Sequence, residues 1–259
     1  MSPTLNITLI QSMLHWENNQ ANRDMFSKKI NSISNTQLII LPETFTSGFT
    51  MNTSQVAETM EGETIQWMKQ MATTKKAIIT GSLVIHENNQ YYNRLVWALP
   101  NGELGCYNKR HLFAYANEDK HFKAGEKRFI AQVNGWKICT QICFDLRFPV
   151  WNSLQNKNEF DVLLYIANWP EKRIQHWDAL LKARAIENQC YVIAVNRVGE
   201  DFNGIYYNGH SSIISPMGEV LYCKEDEEDI FTIELDKKHV VDVRSQFPFL
   251  DSKDNFMII

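Results

Sequence analysis

The stretch KICTQICFDLRFP, residues 137–149, places two thiols, Cys139 and Cys143, four positions apart at the end of an apolar run. Asp145, Arg147 and Pro149 follow at once. Two such thiols suit a disulfide, a metal site, core packing or a nucleophile. Geometry removes the first two. On one extended strand, four steps of about 3.3 Å separate them by about 13 Å. Bridged Cα atoms lie within about 7 Å, and zinc holds each sulfur at about 2.3 Å. The sequence also has no CxxC and no HExxH, so no metal is expected. Cys106, Cys139, Cys190 and Cys223 read as buried core cysteines. Cys143 stays open between core thiol and nucleophile. It closes the apolar run where the chain leaves its sheet, and strand C-terminal ends are where α/β folds place their chemistry. A thiol there, at a helix N-terminus, would carry a lowered pKa.

A cysteine nucleophile needs a group to take its proton. The apolar run QLIIL ends in Pro42 and Glu43, so Glu43 is either an ordinary loop acid or a base at a strand end. Lys109, in CYNKRHLF, follows another strand and is either a solvated surface amine or a cation held for chemistry. Glu118, in AYANEDKHF, has the surface loop as its default. His111 and His121 flank the same loop; both read as structural.

These residues need elements to carry them. Residues 5–11 and 36–43 read as strands, the second an apolar run buried on both faces. Residues 17–34 suit a helix between them. Residues 62–76 form an amphipathic helix with Ile65, Met68 and Met71 inward. Strands at 77–85 and 91–99 lead to a hairpin turn at PNGE, and Asn134–Gly135 turns a second hairpin. Residues 160–168 form a buried strand. Residues 173–189 form a helix with an apolar stripe of Trp177, Leu180, Leu181, Ala185 and Ile186. Strands over 190–198 and 228–236 and a hairpin over 209–223 follow. Helices alternating with strands and hairpins predict mixed sheets covered by helices. Nothing resembles a linker, so one domain over residues 1–259 is expected; KEDEED (224–229) reads as a solvated turn.

Bulk properties narrow the class. The chain has 259 residues, 44% of them hydrophobic, and a net charge of −4. No basic face points to nucleic acid or a membrane surface, and no stretch approaches the roughly 20 apolar residues of a membrane span. The start MSPTLNITLIQSM lacks a basic region before an apolar core, so no signal peptide is expected. An odd count of five cysteines suits a reducing cytoplasm.

Four blocks then converge: LPETFTSGF around Glu43, NKRHLF around Lys109, QICFDLRFP around Cys143, and WDALLKARAIENQCYVIAVNRVG over 177–199. Together they resemble the nitrilase superfamily of carbon–nitrogen hydrolases over about residues 5–250, and NWPEKR (168–173) is most similar to its ω-amidase branch. The resemblance implies an α/β fold, a four-layer α-β-β-α sandwich with two mixed sheets, which forms homodimers and needs no cofactor. It implies that Cys143 is the nucleophile, Glu43 the base and acid, and Lys109, with the Phe144 backbone N–H, the oxyanion stabiliser. Glu118 matches a second glutamate seen in many members. The implied substrate is a small molecule, the terminal amide of a 2-oxo acid. Its remote carboxylate needs a clamp, and Arg173 is the candidate, with Trp169 as a wall. Arg147 is expected to brace the turn through Asp145 instead, and Trp177 to serve the core or a dimer interface. The rivals are a nitrilase or N-carbamoyl amide hydrolase with the same three residues, and a binding protein that kept only the fold.

Overall fold

A computed structural model describes residues 3–156 and 159–258. Its first sheet contains β1 (Thr4–Gln11), β2 (Leu38–Ile40), β3 (Ile78–Glu87), β4 (Gln90–Ala98) and β5 (Leu104–Asn108). Its second contains β6 (Phe129–Val133), β7 (Trp136–Ile142), β8 (Val162–Ile166), β9 (Tyr191–Val195), β10 (Val198–Glu200), β11 (Tyr206–Ile214) and β12 (Val220–Glu225). The last strand, β13 (Asp229–Asp236), returns to the edge of the first sheet beside β1. The orders are β13-β1-β2-β3-β4-β5 and β10-β11-β9-β8-β7-β6, with β12 paired to β11. Each sheet has a parallel centre, β1-β2-β3 or β7-β8-β9, flanked by antiparallel strands. Both are therefore mixed, as the interspersed hairpins predict.

The helices are α1 (Asn19–Asn31), the single turn α2 (Thr53–Val56), α3 (Glu63–Lys75), the short α4 (Glu118–His121) and α5 (Pro149–Asn152), α6 (Ile174–Asn188) and α7 (Lys237–Gln246). On the outer face of the first sheet, Phe26 and Ile30 of α1 and Ile65, Met68 and Met71 of α3 pack with Ile39 and Ile79. Trp177, Leu181 and Ala185 of α6 cover Leu163, Tyr165 and Val192 of the second. Along β8, Leu164 and Ile166 point the other way, into a core shared with Leu5, Ile7 and Leu38 of the first sheet. That alternation is the period of two that lets one strand serve two layers. The layers thus run helix, sheet, sheet, helix.

Three expectations need correction. Ile186 is exposed, because the buried stripe of α6 turns instead through Arg184 and Asn188. Arg184 donates to the Leu146 carbonyl at 2.8 and 3.1 Å, so a polar anchor occupies that part of the face. Cys106 and Cys223 are exposed rather than core residues, since β5 and β12 are sheet edges; Cys139 and Cys190 are buried as expected. The second strand is assigned only to Ile40; Leu41 still donates to the Thr80 carbonyl at 2.7 Å, and the turn begins at Glu43. Trp177 belongs to the core. Among the described residues no helix is long and apolar enough to cross a membrane.

Candidate active site

Parallel strands align their C-terminal ends, and the turns that follow them bring the polar residues together. Glu43 sits in the turn after β2, fully buried. The next residue, Thr44, has a left-handed φ of 42° that turns the chain sharply there. Lys109 directly follows β5, and its N–H bonds the Asn93 carbonyl at 2.9 Å, which extends the ladder with β4 by one residue. The chain then loops out and comes back: the Gly125 N–H donates to the Lys109 carbonyl at 2.8 Å. A Cβ at residue 125 would lie 2.1 Å from the Asn108 carbonyl oxygen, so only glycine closes this loop without displacement. Glu118 rides inside the loop at the start of α4 and is fully buried.

The three charges meet. Lys109 Nζ lies 2.9 Å from Glu43 Oε1 and 2.9 Å from each oxygen of Glu118. Glu118 Oε2 also accepts from the Phe113 N–H at 2.6 Å. Glu43 accepts from Asn93 Nδ2 at 2.8 Å and from the Asn168 backbone N–H at 2.8 Å. Asn168 Nδ2 in turn donates to the Glu43 carbonyl at 2.9 Å. Burial works against the Lys109 charge, but Glu118 and then Glu43 outweigh it, and the pKa is raised above the ordinary lysine value. Burial likewise raises Glu118; Lys109 pulls it down and Glu43 pushes it further up.

Cys143 arrives from the second sheet. It is the first residue of a 3₁₀ turn (143–147) that ends β7, and it too has a φ of 42°. A left-handed non-glycine residue stores about 1–3 kcal/mol of strain and persists where its surroundings hold it. Here Asp145 does the holding. One of its oxygens accepts from the Ile142 N–H at 3.0 Å and the Tyr107 hydroxyl at 2.7 Å. The other meets the His111 N–H at 3.0 Å and His111 Nδ1 at 2.8 Å. Tyr107 and His111 flank Lys109, so this carboxylate ties the turn of one sheet to that of the other. His111 is held by Asp145, and its ring stacks on Phe148 at 3.8 Å, which fits the structural reading. His121 is exposed at the end of α4. The expected pairing of Arg147 with Asp145 is absent because Tyr107, His111 and the backbone already fill the carboxylate. Arg147 instead bonds His176 Nδ1 at 3.1 Å and lies over Trp169 at 4.8 Å.

The Cys143 sulfur is 3.9 Å from the Asn168 carbonyl. Burial and then the Glu43 carboxylate push its thiol well above the ordinary value, with Lys109 acting in the opposite sense. The lowered pKa expected of a helix start is thus overturned: a few N–H dipoles do not offset burial beside a carboxylate. The shift favours the thiol over the thiolate, and the Glu43 carboxylate beside it is the acceptor for its proton.

Above the thiol opens a cavity of about 940 Å³. Lys109, Cys143, Phe144, Arg147, Trp169 and Arg173 all line it, together with Trp16, Phe49 and Phe113. Arg173 lies over the Phe113 ring at 5.4 Å. Among the described residues neither Arg147 nor Arg173 is paired with a carboxylate, and Arg147 is held below the ordinary arginine value by burial and by the charge of Arg173. Lys109, Cys143, Phe144, Trp169 and Arg173 thus line the cavity, with Glu43 and Glu118 buried against Lys109. Sequence reading assigns no role to Asn93, Asn168 or Tyr107, and points Asp145 to the wrong partner. Asn168 follows a buried strand, the same signal that drew attention to Glu43; Asn93 lies within a strand and offers no such sign.

Residues 7–245 match the family described as carbon-nitrogen hydrolase. Over 257 residues the chain is 40% identical to the omega-amidase YafV of Escherichia coli (strain K12), covering 99% of each chain. It is 35% identical over 217 residues to a 2-oxoglutaramate amidase of Bacillus subtilis (strain 168), covering 83% of each. A crystal structure from Xanthomonas campestris, a CN-hydrolase superfamily protein with an arsenic adduct in the active site, is 38% identical with a TM-score of 0.97, covering 99% of this chain and 100% of that one. The match runs through both sheets and through every strand end that feeds the buried charges, and the chain accordingly belongs to the carbon–nitrogen hydrolase family.

Proposed function

We propose that this protein is an amidase that hydrolyses the terminal amide of a small 2-oxo acid, a 2-oxoglutaramate-like substrate, to the acid and ammonia. The observation that carries the reading is a lysine fixed between two buried carboxylates close to a thiol, under a cavity lined by two guanidinium groups that no carboxylate among the described residues pairs. The names of the E. coli and B. subtilis relatives support the same substrate class.

An amide is a weak electrophile with a poor leaving group. Glu43 takes the Cys143 proton as sulfur attacks the carbonyl carbon, so a thiolate exists only as the bond forms. Lys109 and the Phe144 N–H, which lies in the first turn of the 3₁₀ segment and has no acceptor within it, stabilise the oxyanion. Loss of one such donor typically costs about 2.7–4 kcal/mol of barrier. Glu43 then passes its proton to the departing nitrogen, ammonia leaves, and a thioester remains. Water, deprotonated by Glu43, attacks the thioester; the acid leaves and the thiol regains its proton. Glu118 orients Lys109 through both oxygens. Arg173 and Arg147 receive the remote carboxylate, with Trp169 as the wall beneath Arg147. The five cysteines are all unpaired, which suits the reducing cytoplasm as the place of action. The resemblance supports a homodimer.

Ammonia release from 2-oxoglutaramate, a simple nitrile and an N-carbamoyl amino acid tests the reading. The oxo acid amide is the expected substrate, with turnover abolished in Cys143→Ala. Turnover of the nitrile or carbamoyl compound alone moves the protein to a neighbouring reaction, and ammonia release that survives Cys143→Ala removes the nucleophile.

A further inference from the structure

Away from the cavity, a hollow between α6 and the β11–β12 hairpin gathers a second set of reactive side chains. It begins with a break in a ladder. Gly209 faces Glu225 and Ser212 faces Cys223, and the register shifts between Gly209 and Ser211. His210 is the extra residue, with a left-handed φ of 61°. Bulges of this kind re-aim a side chain. Cys223 and Glu225 are two apart on β12 and so share a face, and the bulge sets His210 against both. One ligand-type atom from each of the three lies within 4.8 Å of the others. His210 Nε2 is 3.7 Å from Glu225 Oε1. On the opposite side of the ring, His210 Nδ1 lies 3.1 Å from both oxygens of Asp178 on α6. The His210 carbonyl accepts from Trp177 Nε1 at 2.9 Å and from the Ser212 hydroxyl at 2.8 Å, so the residue is anchored at both ends.

We propose that His210 Nε2, Cys223 Sγ and the Glu225 carboxylate form a three-ligand site for Zn²⁺, with Asp178 orienting the imidazole and water as the fourth ligand. Imidazole, thiolate and carboxylate are each established zinc donors, and a mixed set of this kind suits a borderline cation. Bonds of about 2.0–2.3 Å in a tetrahedron put neighbouring donors about 3.3–3.7 Å apart, and the His210–Glu225 spacing already lies at that limit. Cys223 and Glu225 are exposed and free to rotate the remaining distance. A carboxylate on the far nitrogen is the arrangement that fixes the tautomer of a zinc-binding histidine. Binding replaces the Cys223 S–H bond with an S–Zn bond; the proton passes to solvent and no electrons move. Four residues from α6, β11 and β12 would then be tied through one ion, away from the chemistry at Cys143. Sequence inspection for paired cysteines or histidines misses such a site, because its ligands come from two strands and depend on a bulge.

The test uses the full-length, metal-free protein carrying Cys143→Ala, so that the active-site thiol contributes nothing. Co²⁺ serves as the spectroscopic stand-in for Zn²⁺. One equivalent is expected to give tetrahedral d–d bands and a thiolate-to-cobalt charge-transfer band, both bleached by Zn²⁺. Cys223→Ala is expected to remove the charge-transfer band, and Asp178→Asn to weaken Co²⁺ about 10–100-fold. Circular dichroism checks that each variant is folded. Failure of the folded protein to bind one equivalent, an octahedral spectrum, or a thiolate band that survives Cys223→Ala overturns the site. None of these readouts involves amide hydrolysis, so the outcome is separate from that of the proposed function.

Discussion

At the scale of single residues, the protonation of the Cys143 sulfur is governed by its burial and by the charges packed around it. Glu43 raises the Cys143 thiol by its charge and by hydrogen bonding, whereas Lys109 lowers it. Glu43→Gln removes both upward influences and leaves Lys109 in place. The thiol pKa therefore falls, and thiolate forms at lower pH. Iodoacetamide reacts with the thiolate, so the alkylation rate of the variant, followed by mass spectrometry, is expected to rise about one pH unit or more earlier than in the unaltered protein. On the proposed mechanism ammonia release is expected to be lost at the same time, because Glu43 supplies the proton of the departing nitrogen. An unmoved alkylation profile would show that this carboxylate does not act on the thiol. The types of Glu43, Lys109 and Cys143 were legible in the sequence because each ends a strand. The direction of the thiol's shift was not: a helix start is visible in residues 143–149, but a carboxylate a hundred positions earlier is not. For the same reason Asp145 was matched with the arginine two residues away rather than with Tyr107 and His111.

At the scale of elements, the loop from Lys109 to Gly125 acts as one piece. Its ends are joined by the Gly125 N–H and the Lys109 carbonyl, and Glu118 is carried within it. Gly125→Ala would drive a Cβ to 2.1 Å from the Asn108 carbonyl oxygen. That neighbour is backbone, so the strand end bearing Lys109 has to move. A misplacement of about 1 Å at a reacting group can cost on the order of 10²-fold in rate. Gly125→Ala is therefore expected to lower kcat by about that factor with KM nearly unchanged, in a protein whose circular dichroism stays native. A kcat equal to that of the unaltered enzyme would free Lys109 from this constraint. Periodicity points to α1, α3 and α6 and to the buried strands, whose inward positions recur, but gives no sign of α7. It misjudged Ile186 and the edge cysteines, since spacing alone does not say where a polar anchor such as Arg184 takes over a face or which strand lies at an edge.

At the scale of the whole molecule, one chain already completes all four layers, and Glu43, Lys109, Glu118 and Cys143 all come from it. A homodimer would extend a finished sandwich rather than supply a missing part of the site. Sedimentation equilibrium is expected to give twice the 30.2 kDa chain mass, and dilution to monomer to leave turnover per chain intact. A monomer mass at every concentration would remove the dimer. The mixed character of the sheets was legible from hairpins set among helices, whereas the meeting of Glu43 with Asn168 across the two sheets was not, because no local pattern encodes how two slabs register. That contact gives the architecture an operational meaning: the reaction centre is a gauge of inter-slab alignment. Heat or pressure that slides one slab against the other would misalign these groups before the ladders break, so loss of turnover is expected to precede loss of secondary structure on heating.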